Sequence, residues 1–564
     1  MAANLIRGAH SLTLGYDFND KRFRQRYVSA AANGSWTFNN QYSGDGFADF
    51  LLGLPASTQR NFPLELFGTA NTPYSAIYLQ DFWKITPRVT ISAGLRFDYW
   101  HPKAPVRGIG TSFDPRLGKA VAAEDHKGQV DLTALAVSRF FAAAFPNSWV
   151  AASQAGAPRG LVGGREYLSP RIGVAWRLKS KGDLVFRAGY GLFTGDVVGN
   201  SLGSSVIGLP YWALETLTFT RTSPQRWETT WPANPSAFAN AGNVQGPAID
   251  AAIEKIHQWN VTIQKELPFK TAVTISYAGT RGVDLFALDP KNEVAPGTYA
   301  NLQAARPFPV FANINLYRNV ASSSYHAGQL RVERRFSSGL SFGLSYSRGK
   351  QIDEGVGNAG ASRDNSIISD FAVPFAPRGY NRGRSGLDRK HVLSFNGVWE
   401  LPFGNGRKFL AKSNRAANLA LGGWQISAIY QFISGRPLTV STPGATLGNG
   451  LNTRANLVGD PKAETPTAAR WFNTAAFAAP ARSAFGNSGI GILDGPGFHG
   501  LDLGLMKNFR LFEGHEIQFR AESFNAVNHV NLGTPGTQTG VATIGQILGA
   551  GSARQMQLAL KYIF

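Results

Sequence analysis

The sequence has no cysteine among its 564 residues. A disulfide framework and a thiolate metal site are therefore excluded. Long apolar runs are absent as well. The most apolar stretch, Ala134 to Phe145, is interrupted by Arg139 and followed by Pro146, whereas a membrane-spanning helix needs about 18 uninterrupted apolar residues. Insertion into a membrane through helices is therefore not expected.

Signatures of catalysis and of export are also missing. The nine histidines form no HExxH pair, and neither a GxxxxGK[ST] phosphate loop nor a GxSxG nucleophile turn occurs. We therefore expect no enzyme, no cofactor and no metal site. The segment from Met1 to Phe18 lacks the apolar core that precedes the cleavage site of a secretory signal.

Negative charge is scarce. The chain has 56 Lys and Arg residues against 36 Asp and Glu residues, a formal net charge of +20, and an isoelectric point near 10.1. Such a balance is common in nucleic-acid-binding proteins. The basic residues are nevertheless dispersed along the chain instead of forming one run, so we expect no nucleic-acid partner.

Glycine, proline and aromatic residues are abundant, which favours many strands and turns. From Val89 to Tyr99, apolar side chains alternate with polar or small ones, as in a strand with two different faces. The same period of two recurs along the chain, in Ile172–Leu178, Leu184–Leu192, Val273–Tyr277, Leu340–Tyr346, Trp424–Phe432 and Leu501–Leu505. A soluble β-sandwich would alternate in the same way.

The C-terminus shows the same alternation and ends on an aromatic residue. Leu558, Leu560, Tyr562 and Phe564 occupy one row, and the residues between them occupy the other. This pattern is typical of the closing strand of an outer-membrane β-barrel. We interpret the four residues as a barrel assembly signal, with the barrel assembly machinery as the partner; the C-terminal strand of a soluble sheet is the alternative.

Short and long connections alternate along the chain. In an outer-membrane barrel the short turns are periplasmic and the long loops are external. One turn, Pro402 to Gly422, is longer than its periplasmic neighbours. The predicted turns are Thr86–Arg88, Lys179–Asp183, Leu267–Lys270 and Ser337–Gly339, and the predicted outer loops are Pro102–Tyr167, Thr194–Lys255, Arg281–Ser323, Gln351–Lys390 and Ser441–His499.

The alternation predicts an all-β fold, an antiparallel transmembrane β-barrel of about 15 strands. Single-chain bacterial barrels usually have an even number of strands. An open sheet would also leave unpaired strand edges in lipid, where backbone polar groups have no water to bind. We therefore expect an incomplete barrel.

Several segments together resemble the barrel of Oar-like TonB-dependent receptors of the acidobacterial type. The resemblance covers most of the chain, in the order found in that family. The segments are YLQDFWKITPRVTISAGLRFDYW (Tyr78–Trp100), LSPRIGVAW (Leu168–Trp176), HQWNVTIQKELP (His257–Pro268), ISYAGTRG (Ile275–Gly282), VERRFSSGLSFGLSYSRGK (Val332–Lys350), HVLSFNGVWELPFGNGRK (His391–Lys408), SGRPLTV (Ser434–Val440), WFNTAAFAAP (Trp471–Pro480) and FRAESFNAVNHVNLG (Phe519–Gly533).

The resemblance implies a 22-stranded outer-membrane barrel, closed by an N-terminal plug and energised through the TonB complex. Residues 1–564 would then be a partial TonB-dependent receptor-like β-barrel domain. The segment before His10 is too short for the plug, the TonB-contacting box or a carboxypeptidase-regulatory-like domain. Contact with TonB is therefore expected only through a plug domain that this segment lacks.

Charged residues fall on the rows assigned to the lumen. Two interpretations stay open: a basic lumen that concentrates anionic solutes, or structural pairing of the arginines with inward acids or with a plug. Basic outer loops are also expected to contact lipopolysaccharide phosphates. The lumen-facing candidates are Arg96, Asp98, Arg171, Arg177, Arg187, Arg520 and Glu522.

The resulting hypothesis is a barrel in the outer membrane of a Gram-negative bacterium that takes up an unidentified solute, either a glycan fragment, an iron chelate or a peptide. The long outer loops would capture that solute, because loops usually carry specificity in such architectures. A passive porin or surface adhesion barrel is the first alternative. A soluble secreted all-β binding protein is the second.

Overall fold

Fifteen long strands, β1–β15, form the main structure of the computed structural model. The structure describes residues 1–28, 34–62, 65–105, 109–132, 142–178, 184–195, 208–211, 213–231, 241–354, 375–377, 379–442, 453–512 and 514–564. The strands are Ala2–Arg7, His10–Val28, Glu65–Thr86, Val89–Trp100, Arg165–Arg177, Leu184–Gly195, Glu254–Leu267, Thr271–Pro290, Ile314–Ser337, Leu340–Asp353, His391–Glu400, Trp424–Ile433, Phe498–Phe512, His515–Phe524 and Gln555–Ile563.

Each of these strands pairs antiparallel with the next one along the chain. Three short strands, Ala104–Pro105, Val244–Pro247 and Gly383–Arg384, extend this series to a sheet of 18 strands. Within the described residues, β1 pairs only with β2 and β15 only with β14. The predicted all-β, antiparallel architecture is confirmed.

The remaining elements are short and lie in the connections. The helices are α1 (Gly46–Leu52), α2 (Arg415–Leu421) and the single 3₁₀ turns Ser153–Ala155, Trp227–Thr229 and Thr474–Ala476. The strands are Ser35–Thr37, Ser57–Phe62, Thr111–Asp114, Lys119–Ala122, Trp149–Ala151, Ala213–Thr218, Pro437–Leu438, Ser441–Thr442, Thr453–Arg454, Asn456–Leu457, Phe477–Ala478 and Leu493–Asp494. Across the described ranges, no helix is both long and apolar enough to span a membrane.

Short turns join the strands at one end of the sheet. Phe269 and Lys270 join β7 to β8, and both adopt positive φ angles of 62° and 56°. Ser338 (φ 52°) and Gly339 (φ 78°) do the same between β9 and β10. Such left-handed pairs match the twist of antiparallel strands. Of the predicted turns, Lys179–Asp183 lies outside the described residues.

The connection from Pro402 to Gly422 is the long turn at this end, as predicted, because it contains α2. Asn414 caps this helix by accepting a hydrogen bond from the Ala417 N–H. The cap satisfies one of the helix's first backbone donors, which have no partner within the helix itself. A short helix thus replaces a tight turn without breaking the antiparallel series.

The sheet has two chemically different faces. Neighbouring strands place Ile172 beside Ala93 and Tyr190, and Tyr277 beside Val261. We call this side the apolar face and the opposite side, which carries Arg96 and Arg171, the polar face. The large side chains of the apolar face are exposed: Ile172 is 58% and Ile275 is 59% accessible.

The buried hydrophobic residues lie mostly in the connections at the other end of the sheet, which we call the outer loop layer. One cluster there includes Phe113, Leu209, Val244 and Phe311. A second cluster joins Leu438, Val440, Ala455, Phe472 and Leu493. The long connections therefore fold into small cores instead of remaining irregular.

One predicted outer loop was wrong in its extent, and one outer loop was not predicted. The segment from Arg281 to Ser323 was predicted as a loop, but β8 continues to Pro290 and β9 begins at Ile314. These extensions are stable because Leu285, Ala287 and Ala321 bury each other above the rest of the sheet. The connection between β14 and β15, residues 525–554, was not recognised as an outer loop.

Candidate functional site: the polar face and the outer loop layer

The charged residues predicted for the lumen all lie on the polar face. Register places Arg96 beside Ser169, and Arg171 beside both Gly94 and Gly191. Arg520 lies beside Ala559, and Glu522 beside Gln557. Asp98, Arg177 and Arg187 follow from the period of two in β4, β5 and β6.

Arg96 and Asp98 form the centre of a hydrogen-bonded cluster near the outer end of β4. The Arg96 guanidinium binds Asp98 Oδ1 through Nε and Asp17 Oδ2 through Nη1, both at 2.8 Å. Its Nη2 donates to the Tyr74 hydroxyl at 2.7 Å. The Tyr74 hydroxyl donates to Asp98, and Ser169 Oγ donates to the other Asp98 oxygen at 2.7 Å.

This cluster compensates for the burial of a carboxylate. Asp98 is only 3% exposed, and a buried charge is costly unless it is paired and hydrogen-bonded. Side chains from β2, β3, β4 and β5 all contribute, so the cluster also ties four neighbouring strands together. Its cation is saturated by these protein groups.

The other arginines predicted for the lumen contact neutral groups. Arg171 stacks over the Phe193 ring at 4.5 Å, and Arg187 donates to Gln264 at 2.9 Å. Arg520 donates to Gln518, and Glu522 accepts from Gln557. Arg177 contributes a backbone hydrogen bond to Arg88 at 2.8 Å. The structure therefore joins Arg96 to Asp98 but does not join Arg520 to Glu522.

A groove crosses the polar side of β10–β14. It measures about 400 Å³, and its border includes Asn396, Ser427, Asp502 and Glu522. Gly343 and Gly504 leave room in its floor. The groove thus offers hydroxyl, amide and carboxylate groups beside apolar side chains such as Val398 and Ile429, which suits weak contacts with a passing solute that has polar and apolar parts.

A second cleft lies in the outer loop layer, with a volume of about 490 Å³. The segment after β12 contributes Arg436 and Thr439, and the segment before β15 contributes Thr534, Thr537 and Gln538. Arg436 donates to Thr534 Oγ1 at 2.5 Å. Burial lowers the pKa of Arg436 from its ordinary value. The threonine hydroxyls and glutamine amides stand among apolar side chains such as Leu438, Val541 and Leu548, so the cleft can form hydrogen bonds with a polar ligand while it contacts the ligand's apolar parts.

Sequence reasoning missed this cleft because half of it comes from residues 525–554. The segment GTPGTQTG (Gly533–Gly540) was a visible turn signal. Gln538 of this segment forms an isolated β-bridge with Ser441. Nothing in the sequence indicated this long-range pairing.

Ion pairs and a cation–π contact join separate connections of the outer loop layer near the cleft. Arg384 binds Asp388 at 3.0 Å and Asp494 at 2.7 Å, which joins two separate connections. These hydrogen bonds raise the pKa of Arg384 although burial opposes them. Arg454 packs over the Tyr380 ring at 3.5 Å and donates to the Tyr380 carbonyl at 2.7 Å. Burial lowers the pKa of Arg454.

The predicted assembly signal at the C-terminus lies on the apolar face. Leu558 pairs with Ala521 and Leu560 with Phe519. Tyr562 shares a 2.6 Å hydrogen bond with His515 Nδ1, and its ring lies 5.6 Å from that of Phe564. All four side chains are exposed. Their role in assembly stays a prediction.

A metal centre does not emerge from this part of the protein. The described residues contain no group of three or more His, Asp or Glu side chains placed to hold an ion.

Comparison with known proteins gives a family match over nearly the whole chain. The family described as "Outer membrane beta barrel domain" matches residues 2–557. No curated protein sequence matches the chain.

Solved structures of similar shape include several outer-membrane transporters. The FrpB iron transporter from Neisseria meningitidis has 11% identity and a TM-score of 0.42, with 100% of this chain and 54% of that chain covered. The transporter YddB from Escherichia coli has 10% identity and a TM-score of 0.49, with 100% and 53% covered. The copper transporter OprC has 11% identity and a TM-score of 0.42, with 100% and 55% covered. The chain spans about half the length of these structures.

Proposed function

Because this chain belongs to the outer membrane β-barrel domain family, we propose that it forms part of the wall of an Oar-like TonB-dependent receptor that imports a polar solute. Family membership places the protein in the outer membrane of a Gram-negative bacterium. The solute, its energised uptake and the Oar-like type belong to the proposal.

The observation that carries the proposal is the chemical difference between the two faces of one continuous sheet. Exposed Leu, Ile and Tyr side chains cover the apolar face, which suits contact with lipid. The polar face carries Arg96, Arg171, Arg187 and Glu522, which suits a hydrated lumen. In a wall of this kind, a solute passes along the polar face.

The free edges of the sheet support a larger barrel. β1 and β15 run in the same direction, because both are odd members of an antiparallel series. They therefore cannot join each other as antiparallel neighbours. An odd number of further strands would restore an even total and pair both edges, as lipid requires. The 22 strands implied by the family resemblance meet this condition.

In this proposal the TonB complex acts through a plug domain inside the barrel, not on the wall itself. The barrel assembly machinery would recognise Leu558, Leu560, Tyr562 and Phe564. The wall needs no cofactor and performs no catalysis.

The outer loop cleft between Arg436 and Gln538 is the proposed point of first contact with the solute. Its threonine, glutamine and backbone groups suit a glycan fragment, an iron chelate or a peptide, all of which are rich in hydrogen-bonding groups. The solute would next bind in the groove beside Asn396 and Asp502 as it moves inward.

The test is uptake by cells that express the gene encoding this chain. The probes are a labelled oligosaccharide, ferric citrate and a labelled hexapeptide, each measured with and without a protonophore. Energised import predicts accumulation of one probe that stops when the proton-motive force is dissipated. Accumulation that continues unchanged would instead establish a passive porin. Absence of heat-modifiable migration on a gel would exclude the barrel interpretation and would favour a soluble binding protein.

A further inference from the structure

Four tyrosine–histidine pairs repeat across eight consecutive strands of the apolar face. In each pair the tyrosine hydroxyl and histidine Nδ1 share a hydrogen bond, on strand pairs β6/β7, β8/β9, β10/β11 and β12/β13. The pairs and their distances are Tyr190–His257 (2.9 Å), Tyr277–His326 (2.8 Å), Tyr346–His391 (2.8 Å) and Tyr430–His499 (3.4 Å).

The geometry of the four pairs is the same. Each tyrosine is the seventh residue of a strand that begins at the short-turn end. Each histidine lies on the next strand, diagonally offset by two residues toward the outer loop layer. Tyr277, for example, lies beside Gly328, while His326 lies beside Gly279. The repetition points to one shared level in the wall.

That level corresponds to the outer edge of the membrane. His257, His326 and His391 stand about ten residues from the short turns. At about 3.3 Å per residue and a strand tilt of about 45°, this is a height of roughly 24 Å. The apolar band of outer-membrane barrels is about 25 Å tall. The imidazole rings therefore lie where lipid tails give way to headgroups.

Cations occupy the same level between the histidines. Register places Arg281 beside His257, Lys350 beside His326, and Arg348 beside His391. Arg348, Lys350 and His326 are exposed. Within the described ranges, neither Arg348 nor Lys350 has a side-chain hydrogen bond or ion pair. They differ in this from Arg96, whose charge is saturated by Asp17 and Asp98.

Between these cations and the basic residues Lys265 and Arg334, which lie next to the short turns, the same face is apolar and free of acids. We compared five consecutive positions of the apolar face on each of β8, β9, β10 and β11, and four on β7. None of these positions is Asp or Glu. Each row runs from apolar residues near the short turns to a polar or cationic one at the rim. The rows are Ile263–Val261–Trp259–His257, Val273–Ile275–Tyr277–Gly279–Arg281, Val332–Leu330–Gly328–His326–Ser324, Phe342–Leu344–Tyr346–Arg348–Lys350 and Trp399–Gly397–Phe395–Leu393–His391.

A gap opens in the middle of this surface at Gly328. A Cβ atom built there would meet no other atom within 4 Å. Gly328 is aligned with Tyr277 of β8 on one side and with Arg348 of β10 on the other. On the same face of β9 it is the next residue after His326 toward the short turns. A headgroup could therefore settle at Gly328 without displacing a side chain.

We propose that His257, Arg281, His326, Arg348, Lys350 and His391 form a binding surface for the phosphate groups of the outer-leaflet glycolipid, lipid A. Guanidinium and ammonium groups are strong phosphate donors. The tyrosine hydroxyls engage histidine Nδ1, which leaves Nε2 of each ring for the lipid. Tyr277 and Tyr346 are thus positioning residues. Acyl chains would cover the apolar rows beneath.

The proposal depends on the outer-membrane location and not on transport. A porin or an adhesion barrel with this wall would bind the same lipid. Failure of the uptake experiment would therefore leave it intact, and failure of lipid binding would leave the transport proposal intact.

The test uses the whole product of the gene, purified from outer membranes and reconstituted into phosphatidylcholine vesicles that contain bisphosphorylated lipid A. The lipid retained after extraction into detergent is counted by native mass spectrometry. The variant R348Q/K350Q removes two rim cations, and we expect it to retain about tenfold less lipid A, because a charged hydrogen bond contributes about 1.5 kcal/mol or more. G328L keeps the charges but fills the gap, and it should also reduce retention.

The matched control is R331Q/R335Q, which removes two cations from the polar side of β9 and should leave retention unchanged. Every variant is first checked for heat-modifiable migration, and dephosphorylated lipid A is measured in parallel. Equal retention of the two lipids, an equal loss in the control, or no loss in R348Q/K350Q would each overturn the proposal. Displacement of lipid A by inorganic phosphate would show that the surface is a site for free phosphate, and it would overturn the assignment of lipid A as the ligand.

Discussion

The strand wall and the outer loop layer use hydrophobic residues in opposite ways. In the wall, large side chains such as Ile275 and Leu560 are 59% and 75% exposed, while charges such as Asp98 are buried on the other face. In the loop layer, Phe113 and Phe311 are almost fully buried against other apolar side chains. The difference shows that the two regions have different solvents.

Water explains the loop layer, and lipid explains the wall. Burial stabilises the folded protein only when it takes an apolar side chain out of water. In the loop layer this requires a packed core, in which, for example, the ring centroids of Phe113 and Phe311 lie 5.2 Å apart. A wall residue such as Ile172 needs no protein partner, because hydrocarbon already surrounds it. In a soluble sheet the same apolar row would have to be covered by a second layer of protein.

Charges follow the same division. In the loop layer, Glu215 is buried and paired with Arg60, which joins the strands Ser57–Phe62 and Ala213–Thr218. Such pairing is needed because a buried charge without a partner is costly. At the rim of the wall, Arg348 and Lys350 are exposed, where headgroups and water can solvate them.

Truncation of a loop core residue should produce the largest effect. Phe311→Ala leaves a cavity against Phe113 and Val244 and should cost about 3–5 kcal/mol of local stability. We expect hydrogen exchange in the loop layer to accelerate, including the amide of Ala241, which donates to the Val310 carbonyl. The wall should retain its heat-modifiable migration, because among its strands only the outer end of β9, at Ile314 and Leu316, belongs to this core.

The control for this change is Phe47→Ala in α1, whose ring is 68% exposed. It should change stability by less than about 1 kcal/mol. Simultaneous unfolding of wall and loop layer in the Phe311→Ala variant would contradict the separation of the two regions.

A charge on the apolar face should have the next largest effect. Ile275→Arg places a guanidinium in the lipid-facing row of β8 and should destabilise the folded wall by about 2–4 kcal/mol. The measurement is unfolding by urea from phosphatidylcholine vesicles. Thr274→Arg, one residue away on the polar face, is the matched control and should change stability little. Equal effects of the two variants would mean that the apolar face is not in lipid.

Acid should produce the smallest effect, and it should be confined to the loop layer. Hydrogen bonds from Arg116 hold the pKa of Asp114 below its ordinary value of 3.8. A depressed pKa contributes stability that is present above the unfolded value and is lost as pH falls through the folded one. Amide exchange around Thr111–Asp114 should therefore accelerate below about pH 4.

Asp114→Asn should remove this acid dependence, because an amide does not titrate in this range. Wall strands should show no matching change. A loss of protection in β8 over the same pH interval would contradict the assignment to Asp114.

Much of the wall could be predicted from the sequence. A strand turns successive side chains to opposite faces, so residues such as Val89, Ile91 and Leu95 reveal both the strand and its two sides without knowledge of any partner. Short turns such as Pro268–Lys270 are local as well. Arg96 and Asp98 could be assigned to the polar face for the same reason.

The contacts between distant segments could not be predicted. Phe113, Leu209, Val244 and Phe311 are far apart in the chain, and no local period announces that they share a core. The cleft between Arg436 and Gln538 likewise depends on two loops that meet across the outer end of the sheet. The extension of β8 to Pro290 depends on its packing with Ala321 in β9.

The order of the amino acids specifies the strands, their apolar and polar rows and the ends at which they turn, because these properties depend on neighbours within a few residues. The register between strands arises from pairing over long distances in the chain, and register decides which side chains meet. Tyr346 and His391 are each unremarkable in their own strands. They form a pair, beside Arg348, because antiparallel hydrogen bonding aligns β10 with β11 at one particular offset.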